Sequence, residues 1–350
     1  MMKSSPVSDR LGRQLGVLRL SLTARCNLAC PYCCPESVEP QGLLSTQDQL
    51  RLIHAGCRLG VHTLRLTGGE PLLTERLWPL LEALSAGRKK LSDPLAQLKD
   101  IAITTNGSLL DDEKARRLRA SGVDRITISL DAVDGGSIAR MAGLRRGAGA
   151  GFDLLNKVLA GIDAARTAGY DPALGALKLN AVIQRGKNDD QLIPLAHLAR
   201  QKGLELRLIE YMDVGNSNGW CRDQVMPASE MIQILNDQWP LQSSGRPLGG
   251  TSRQWAYKDG GGIIGTIASI TEPFCSDCNR LRITADGKAF TCLFASEGVD
   301  LRDGLRQDVS DLGLETMMAR VWLGRSDRFS EERGTRPLAN QHAEMAYLGG

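Results

Sequence analysis

The sequence predicts an α/β fold: a partial six-stranded (β/α)6 barrel of TIM-like type over residues 11–215, followed by an extension over 216–350. Three observations carry this prediction. β-Rich runs lie near residues 17–22, 63–66, 100–104, 125–130, 177–183 and 205–212, and apolar residues recur at helical spacing near 46–59, 76–86, 111–121, 152–168 and 189–202. Polar caps such as Ser45 open several helical patterns, and Gly60, Gly87, Gly122, Gly169 and Gly203 close them. Right-handed strand–helix–strand units build either a barrel or an open doubly wound sheet. Polar motifs after several different strands favour the barrel, which gathers a site at one face.

The first run leads into Leu18 to Pro35, LRLSLTARCNLACPYCCP, with Cys26, Cys30 and Cys33 in C-x3-C-x2-C spacing. Thiolates are soft ligands suited to zinc, copper(I) or iron–sulfur clusters. Structural zinc is closed and four-coordinate, yet the first histidine is His54. Three cysteines on a four-iron cluster instead leave one iron open to a ligand. After the second run comes Thr67-Gly68-Gly69-Glu70-Pro71, where two glycines permit close backbone approach and a carboxylate could meet an ammonium group. Thr104-Thr105-Asn106-Gly107 follows the third run, and the fourth ends in Ser129-Leu130-Asp131. Residues 141–151, MAGLRRGAGAG, read as a glycine-rich loop. Pro194 makes the fifth helix begin late or kink.

Lys178 lies inside the fifth strand, and the sixth runs into Glu210-Tyr211-Met212-Asp213. Residues 216–262 read as irregular, leading across the open side of the barrel. Beyond them Cys275, Cys278 and Cys292 stand in C-x2-C-x13-C spacing, with strand-like runs on both sides of Asp286-Gly287, a hairpin signal. This set could also be zinc completed by His342 or Cys221. Arg280 and Arg282 share one strand face and suit phosphate oxygens. The last residues, Gly349-Gly350, have no side chain and could thread a narrow site.

Bulk properties narrow the class. The chain has 350 residues, 42% hydrophobic and 4% aromatic, so the core is expected to be aliphatic. A net charge of +3 does not point to nucleic acid, and any anion site must be local. The first residues have no apolar h-region and no 18-residue apolar run occurs, so a cytoplasmic protein without membrane contact is expected. Of nine cysteines, six fall in two clusters, or seven with Cys34, which fits metal binding better than a disulfide scaffold.

The first cysteine motif, with Tyr32 before its last cysteine, resembles the signature of radical S-adenosylmethionine enzymes. The segments around Lys178 and Met212, the second cysteine set and the terminal Gly-Gly are similar to the GTP 3',8-cyclase family of molybdenum cofactor biosynthesis. That resemblance implies two 4Fe-4S clusters, one on Cys26, Cys30 and Cys33 and the other on Cys275, Cys278 and Cys292. It implies S-adenosylmethionine contacts at Tyr32, Gly69, Ser129 and Met212. It further implies GTP contacts at Arg19, Arg65, Thr104 (with Thr105 nearly as suitable), Lys178, Arg280, Leu281 and Arg282. Arg19, Arg280, Arg282, Gly349 and Gly350 would serve the reaction, in which a 5'-deoxyadenosyl radical takes the ribose 3' hydrogen and the carbon radical adds to C8. An external low-potential electron donor, a downstream cyclic pyranopterin synthase and a homodimer complete the implied setting. A peptide-modifying radical enzyme and a zinc-stabilised binding module are the alternatives. Cys34 departs from the family, which commonly has Met there.

Overall fold

The computed structural model describes residues 6–33, 38–306, 309–333 and 342–350; the Cys34 position lies outside them. β1 (Val17–Ser21), β2 (Thr63–Thr67), β3 (Asp100–Thr105), β4 (Arg125–Ser129), β5 (Leu177–Ile183) and β6 (Glu205–Glu210) lie in chain order, each parallel to the next. Their crossovers carry α1 (Thr46–Arg58), α2 (Leu77–Arg88), α3 (Asp112–Ala120), α4 (Gly135–Met141), α5 (Gly147–Thr167) and α6 (Leu192–Lys202). The sheet does not close, as expected of a partial barrel. Ser45 caps α1 in a reciprocal capping box with Asp48. A short 3-10 turn precedes α6, so Pro194 falls in its first turn, where a missing N–H costs no helical bond.

The strands alternate. Leu18, Leu20, Leu64, Leu66, Ile101, Ile103, Ile126 and Ile128 are fully buried in the core shared with the covering helices, while the intervening residues turn polar groups to the other face. The core is aliphatic, with Trp322, Tyr170 and Tyr211 its largest fully buried aromatic residues. Among the described residues no helix is long and apolar enough to cross a membrane.

The extension joins the same sheet at both ends. It contributes α7 (Ala228–Gln238), β7 (Leu241–Gly245), β8 (Arg253–Tyr257), β9 (Ile263–Ile267), β10 (Arg280–Ile283), β11 (Lys288–Phe290), β12 (Val299–Asp300), α8 (Asp311–Leu323), α9 (Phe329–Glu332) and α10 (Met345–Leu348). β9 pairs parallel to β6 and β10 parallel to β1, giving the order β12-β11-β10-β1-β2-β3-β4-β5-β6-β9-β8-β7. β10 and β11 form the expected hairpin, with Gly287 at φ +90°.

Two sequence expectations need correction. Residues 216–262 are not irregular throughout, because α7 and the antiparallel β7–β8 pair lie within them. β7 is an edge strand exposed at every position after Leu241, so it lacks the apolar alternation that marks a strand. The connection after β7 does span the open side. Arg246 Nη1 donates to Asp277 at 2.8 Å, and the Gly249 N–H donates to the same carboxylate at 2.9 Å, just ahead of β10 at the far end of the row.

Residues 141–151 are not one loop either: Met141 ends α4, and 147–151 open α5. The glycines admit close helix packing, since a Cβ at Gly151 would fall 1.8 Å from Gly135 O, whereas one at Gly149 would meet nothing within 4 Å. Gly151→Ala is therefore expected to destabilise the protein by roughly 1–3 kcal/mol through overpacking. Gly149→Ala is expected to stabilise it by up to about 1 kcal/mol through helix propensity. Denaturant unfolding checks both signs, and equal effects would contradict the packing account.

Candidate active site

Register decides the chemistry of the polar face. Arg282 of β10, Arg19 of β1 and Arg65 of β2 are consecutive partners across three adjacent strands. Strands in a sheet lie about 4.8 Å apart, so three guanidinium side chains rise in one row. Burial lowers Arg19 well below its ordinary value, helped by repulsion from Arg282, Arg65 and Arg280. Burial, with Arg125 and Arg207 nearby, brings Arg65 down to about 9; burial and Arg280 bring Arg282 to about 10. All four arginines line a cavity of about 1010 Å³, counting the space open to solvent, with Thr104, Arg207, Met212, Cys275, Cys278, Cys292 and Gly350. A buried cationic row with few acids is built to take a polyanion.

The first cysteine loop leaves β1 and packs on the glycine turn after β2. The Gly69 N–H donates to Thr23 O at 2.8 Å, and a Cβ on Gly69 would lie 2.2 Å from Arg25 O. Glu70 is fully buried and ties the neighbouring turns together. Its carboxylate accepts from the Leu72 N–H (2.9 Å), the Thr105 hydroxyl (2.7 Å) and the Asn106 N–H (2.7 Å). Thr105 is thereby committed to Glu70, and Thr104 is the threonine that faces the cavity. Asn106 in turn approaches Cys26 Sγ at 3.6 Å, and the Leu28 N–H approaches it at 3.4 Å. Cys30, Tyr32 and Ser129 line a second, smaller cavity, where the Tyr32 hydroxyl donates to Asp131 at 2.8 Å.

All six predicted ligand cysteines are free thiols. Burial pushes Cys26 up, and pushes Cys30 well up with help from Cys33. Burial and Asp327 raise Cys292 to about 12. Burial also acts to raise Cys278, but Arg280 and Arg325 outweigh it and hold that thiol at about 7. Coordination deprotonates a thiol outright, so a bound metal would have to overcome the burial that raises Cys26, Cys30 and Cys292, while Cys278 ionises more readily beside Arg280 and Arg325. N–H groups aimed at Cys26 and at Cys292 (Phe294 N–H, 3.5 Å) match the outer hydrogen bonds that iron–sulfur ligands receive. Among the described residues no group of three or more His, Cys, Asp or Glu converges on the position of a single ion. Cys275, Cys278 and Cys292 all line the arginine cavity. His342, considered as a further zinc ligand, has its Nδ1 3.0 Å from Phe294 O, and Cys221 is exposed.

The Gly-Gly segment enters the same cavity. Arg19 Nη2 donates to Gly349 O and Gly350 O, both at 2.7 Å, and Arg19 Nε donates to Gly349 O at 3.2 Å. Gly349 has φ +67°, and a Cβ there would lie 2.4 Å from Thr67 Cγ2. The approach is fixed upstream. The Asn216 side chain brackets His342 through its O (2.6 Å) and N–H (2.7 Å), and Glu344 accepts from the Asn216 N–H at 2.9 Å.

The predicted nucleotide-site residues Arg19, Arg65, Thr104, Arg280 and Arg282 share one cavity with Met212, the second cysteine set and Gly350. Cys30, Tyr32 and Ser129 line the smaller one, and Leu281 and Lys178 line neither. Leu281 is fully buried in the core on the opposite face from Arg280 and Arg282, so its side chain cannot contact a ligand in the cavity. Lys178 pairs with Glu205 at 2.6 Å and does not line the cavity. Burial and Arg207 lower Lys178. Burial alone would raise Glu205, but Arg207 and Lys178 hold it low. Sequence reasoning missed Arg207, Arg325 and Asp327. Arg207 carried a signal: Leu-Arg-Leu recurs at 18–20, 64–66 and 206–208, with Leu-Arg-Ile at 281–283, and each Arg faces the same cavity.

Burial raises the Glu70 carboxyl to about 7, against the pull of its three donors. Infrared titration should show a carboxyl band, absent from Glu70→Gln, that disappears with a midpoint near pH 7; a midpoint below pH 5 would mean that the donors win.

Comparison with known proteins accords with this geometry. Residues 20–199 match the radical SAM superfamily and residues 204–331 match Molybdenum Cofactor Synthesis C. A GTP 3',8-cyclase of Synechococcus sp. (strain CC9605) is 62% identical over 350 residues, covering 100% of both chains. One from Acidothermus cellulolyticus is 42% identical, covering 99% of this chain and 100% of its own. Streptococcus suis SuiB bound to S-adenosylmethionine shares the fold at 16% identity, with a TM-score of 0.58 over 99% of this chain and 73% of that one. With a cavity walled by arginines and cysteines and full-length relatives at this identity, the chain belongs to the GTP 3',8-cyclase family of the radical SAM superfamily.

Proposed function

We propose that this chain is a radical SAM lyase converting GTP to (8S)-3',8-cyclo-7,8-dihydro-GTP, the first step of molybdenum cofactor biosynthesis. The observation that carries the reading is the row Arg282, Arg19 and Arg65, with Arg280, facing one cavity with the second cysteine set. Arg65, Arg280 and Arg282 can grip phosphate oxygens in a bidentate manner, Arg19 adds its charge while its Nε and Nη2 hold Gly349 and Gly350, and a triphosphate relieves the repulsion that the fold builds among them. A peptide substrate would leave that repulsion standing.

Residues 11–215 serve as the radical-generating unit, and 216–350 complete the nucleotide site. Cys26, Cys30 and Cys33 hold the family's 4Fe-4S cluster, and Tyr32, Ser129 and the Gly69 backbone form the S-adenosylmethionine side. Met212, which lines the arginine cavity, would add a contact to S-adenosylmethionine from that side. Cys275, Cys278 and Cys292 hold a second cluster. When bound, the cluster and S-adenosylmethionine would supply the radical chemistry that removes the ribose 3' hydrogen. The chain's own part is placement: Thr104 and the arginines fix the nucleotide so that C3' and C8 meet, and the walls of the cavity limit side reactions of the radical. Gly349 and Gly350, held by Arg19, narrow the space around the reacting groups. An external low-potential donor supplies electrons, a cyclic pyranopterin synthase takes the product, and the enzyme works as a cytoplasmic homodimer.

Incubation with GTP, S-adenosylmethionine and a reductant without oxygen should yield 5'-deoxyadenosine and a product isomeric with GTP. One hydrogen atom leaves, and one proton and one electron return. Removing Gly349 and Gly350 should keep 5'-deoxyadenosine formation while lowering cyclic product on the order of 10²-fold. Undiminished product from the shortened chain would remove the role given to the tail.

A further inference from the structure

The loop carrying Cys275 and Cys278 is gripped by a buried charge cluster at the edge of the cavity, which Arg325 and Asp327 line and Asp9 and Arg13 do not. Arg13 and Arg325 come from opposite ends of the chain, with side chains 2% and 1% exposed. Arg13 Nη1 donates to Cys275 O at 2.9 Å, and Arg325 Nη1 donates to Cys278 O at 2.6 Å. Asp9 lies between them, 2.5 Å from Arg13 Nε and 3.8 Å from Arg325 Nη1, while Asp327 meets Arg325 Nε at 3.2 Å. Arg325 also stacks on the Trp322 ring at 4.7 Å. Trp322 Nε1 donates to Arg13 O at 2.9 Å, which closes the assembly. Arg13 Nη2 is buried with no acceptor among the described residues.

Packing alone does not require this. Burying four charges costs several kcal/mol per ion before pairing repays it, and an apolar cluster could pin the loop more cheaply. What ions add is a fixed field. Arg325 lines the cavity beside Cys278 and Cys292, and its paired carboxylates hold it rigid without removing it from the cysteines' side. A cluster gains negative charge on reduction, so a fixed cation close by raises its potential, and charge and hydrogen bonding are the levers by which a protein sets that potential.

We infer that Arg325, braced by Asp9, Arg13 and Asp327, is a positioning residue that seats the Cys275–Cys278 loop and sets the reduction potential of the cluster on it. The inference rests on the reading that Cys275, Cys278 and Cys292 hold a second cluster. The test is potentiometry of the full-length, iron-loaded enzyme, following by electron paramagnetic resonance the signal that Cys278→Ser abolishes. Arg325→Lys keeps the charge; Arg325→Met keeps much of the side-chain bulk and loses the charge. At fixed poise the ratio of reduced to oxidised cluster should fall about tenfold in Arg325→Met, a shift of ~59 mV to lower potential for one electron. It should change little in Arg325→Lys, and both variants should keep wild-type iron content. An unmoved midpoint in fully loaded Arg325→Met, or equal shifts in both variants, overturns the inference. If Arg325→Met fails to load, retention of the second signal in Arg325→Lys supports it and loss there overturns it. About four irons in the wild type, instead of about eight, would sink the second-cluster reading itself.

Discussion

The repulsion among Arg282, Arg19 and Arg65 is the constraint on which the rest of this structure depends. Parallel register sets these residues side by side on the inner face of β10, β1 and β2. Like charges at strand spacing cost on the order of 3 kcal/mol per neighbouring pair at an effective dielectric of about 20. The fold tolerates this because the outer face is dense with aliphatic side chains: Leu18, Leu20, Leu64, Leu66, Leu281 and Ile283 are all fully buried. The leucines that hold the sheet and the arginines that face the cavity are alternate residues of the same strands. A substrate rich in negative charge converts that stored cost into binding.

The second dependence is on how the loops at the strand ends are tied to one another. Glu70 joins the turns after β2 and β3, and Asn106 carries the link onward to Cys26. Asp131 joins Tyr32 to the Val182 N–H of β5. On the other side, Asn216 and Glu344 carry the loop after β6 to the approach of the Gly-Gly segment, and Arg246 with Asp277 spans the opening. The radical-generating loop, the arginine row and the tail are thus held in one frame, as a reaction between two atoms of one nucleotide requires.

Much of this was legible in the sequence, and the remainder was hidden for physical reasons. β1 to β6 and the β10–β11 hairpin announced themselves through period-two patterns and an Asp-Gly turn. Spacing alone marked both cysteine sets as candidate metal ligands, but for the second set it left zinc and an iron–sulfur cluster open. The sequence did not show β7, because an exposed edge strand has no apolar face to display. Nor did it show the helical start of α5, because glycines that serve close packing look like loop glycines. Leu281 was grouped with its arginine neighbours although strand parity sends it to the core. The ties of Glu70 were hidden because its partners, Thr105 and Asn106, lie 35 and 36 residues away. Arg207 was overlooked although it repeats the Leu-Arg-Leu pattern of Arg19 and Arg65.

The most direct test of the arginine row is to compare the binding of GTP and GMP across a range of salt concentrations. If the row exists to take a polyphosphate, GTP should bind at least about a hundredfold more tightly than GMP, since charge-assisted contacts are worth about 1.5–3 kcal/mol each. Arg282→Ala should erase much of that difference, and added salt should narrow it. Equal affinity for GTP and GMP in the wild-type protein would contradict the account.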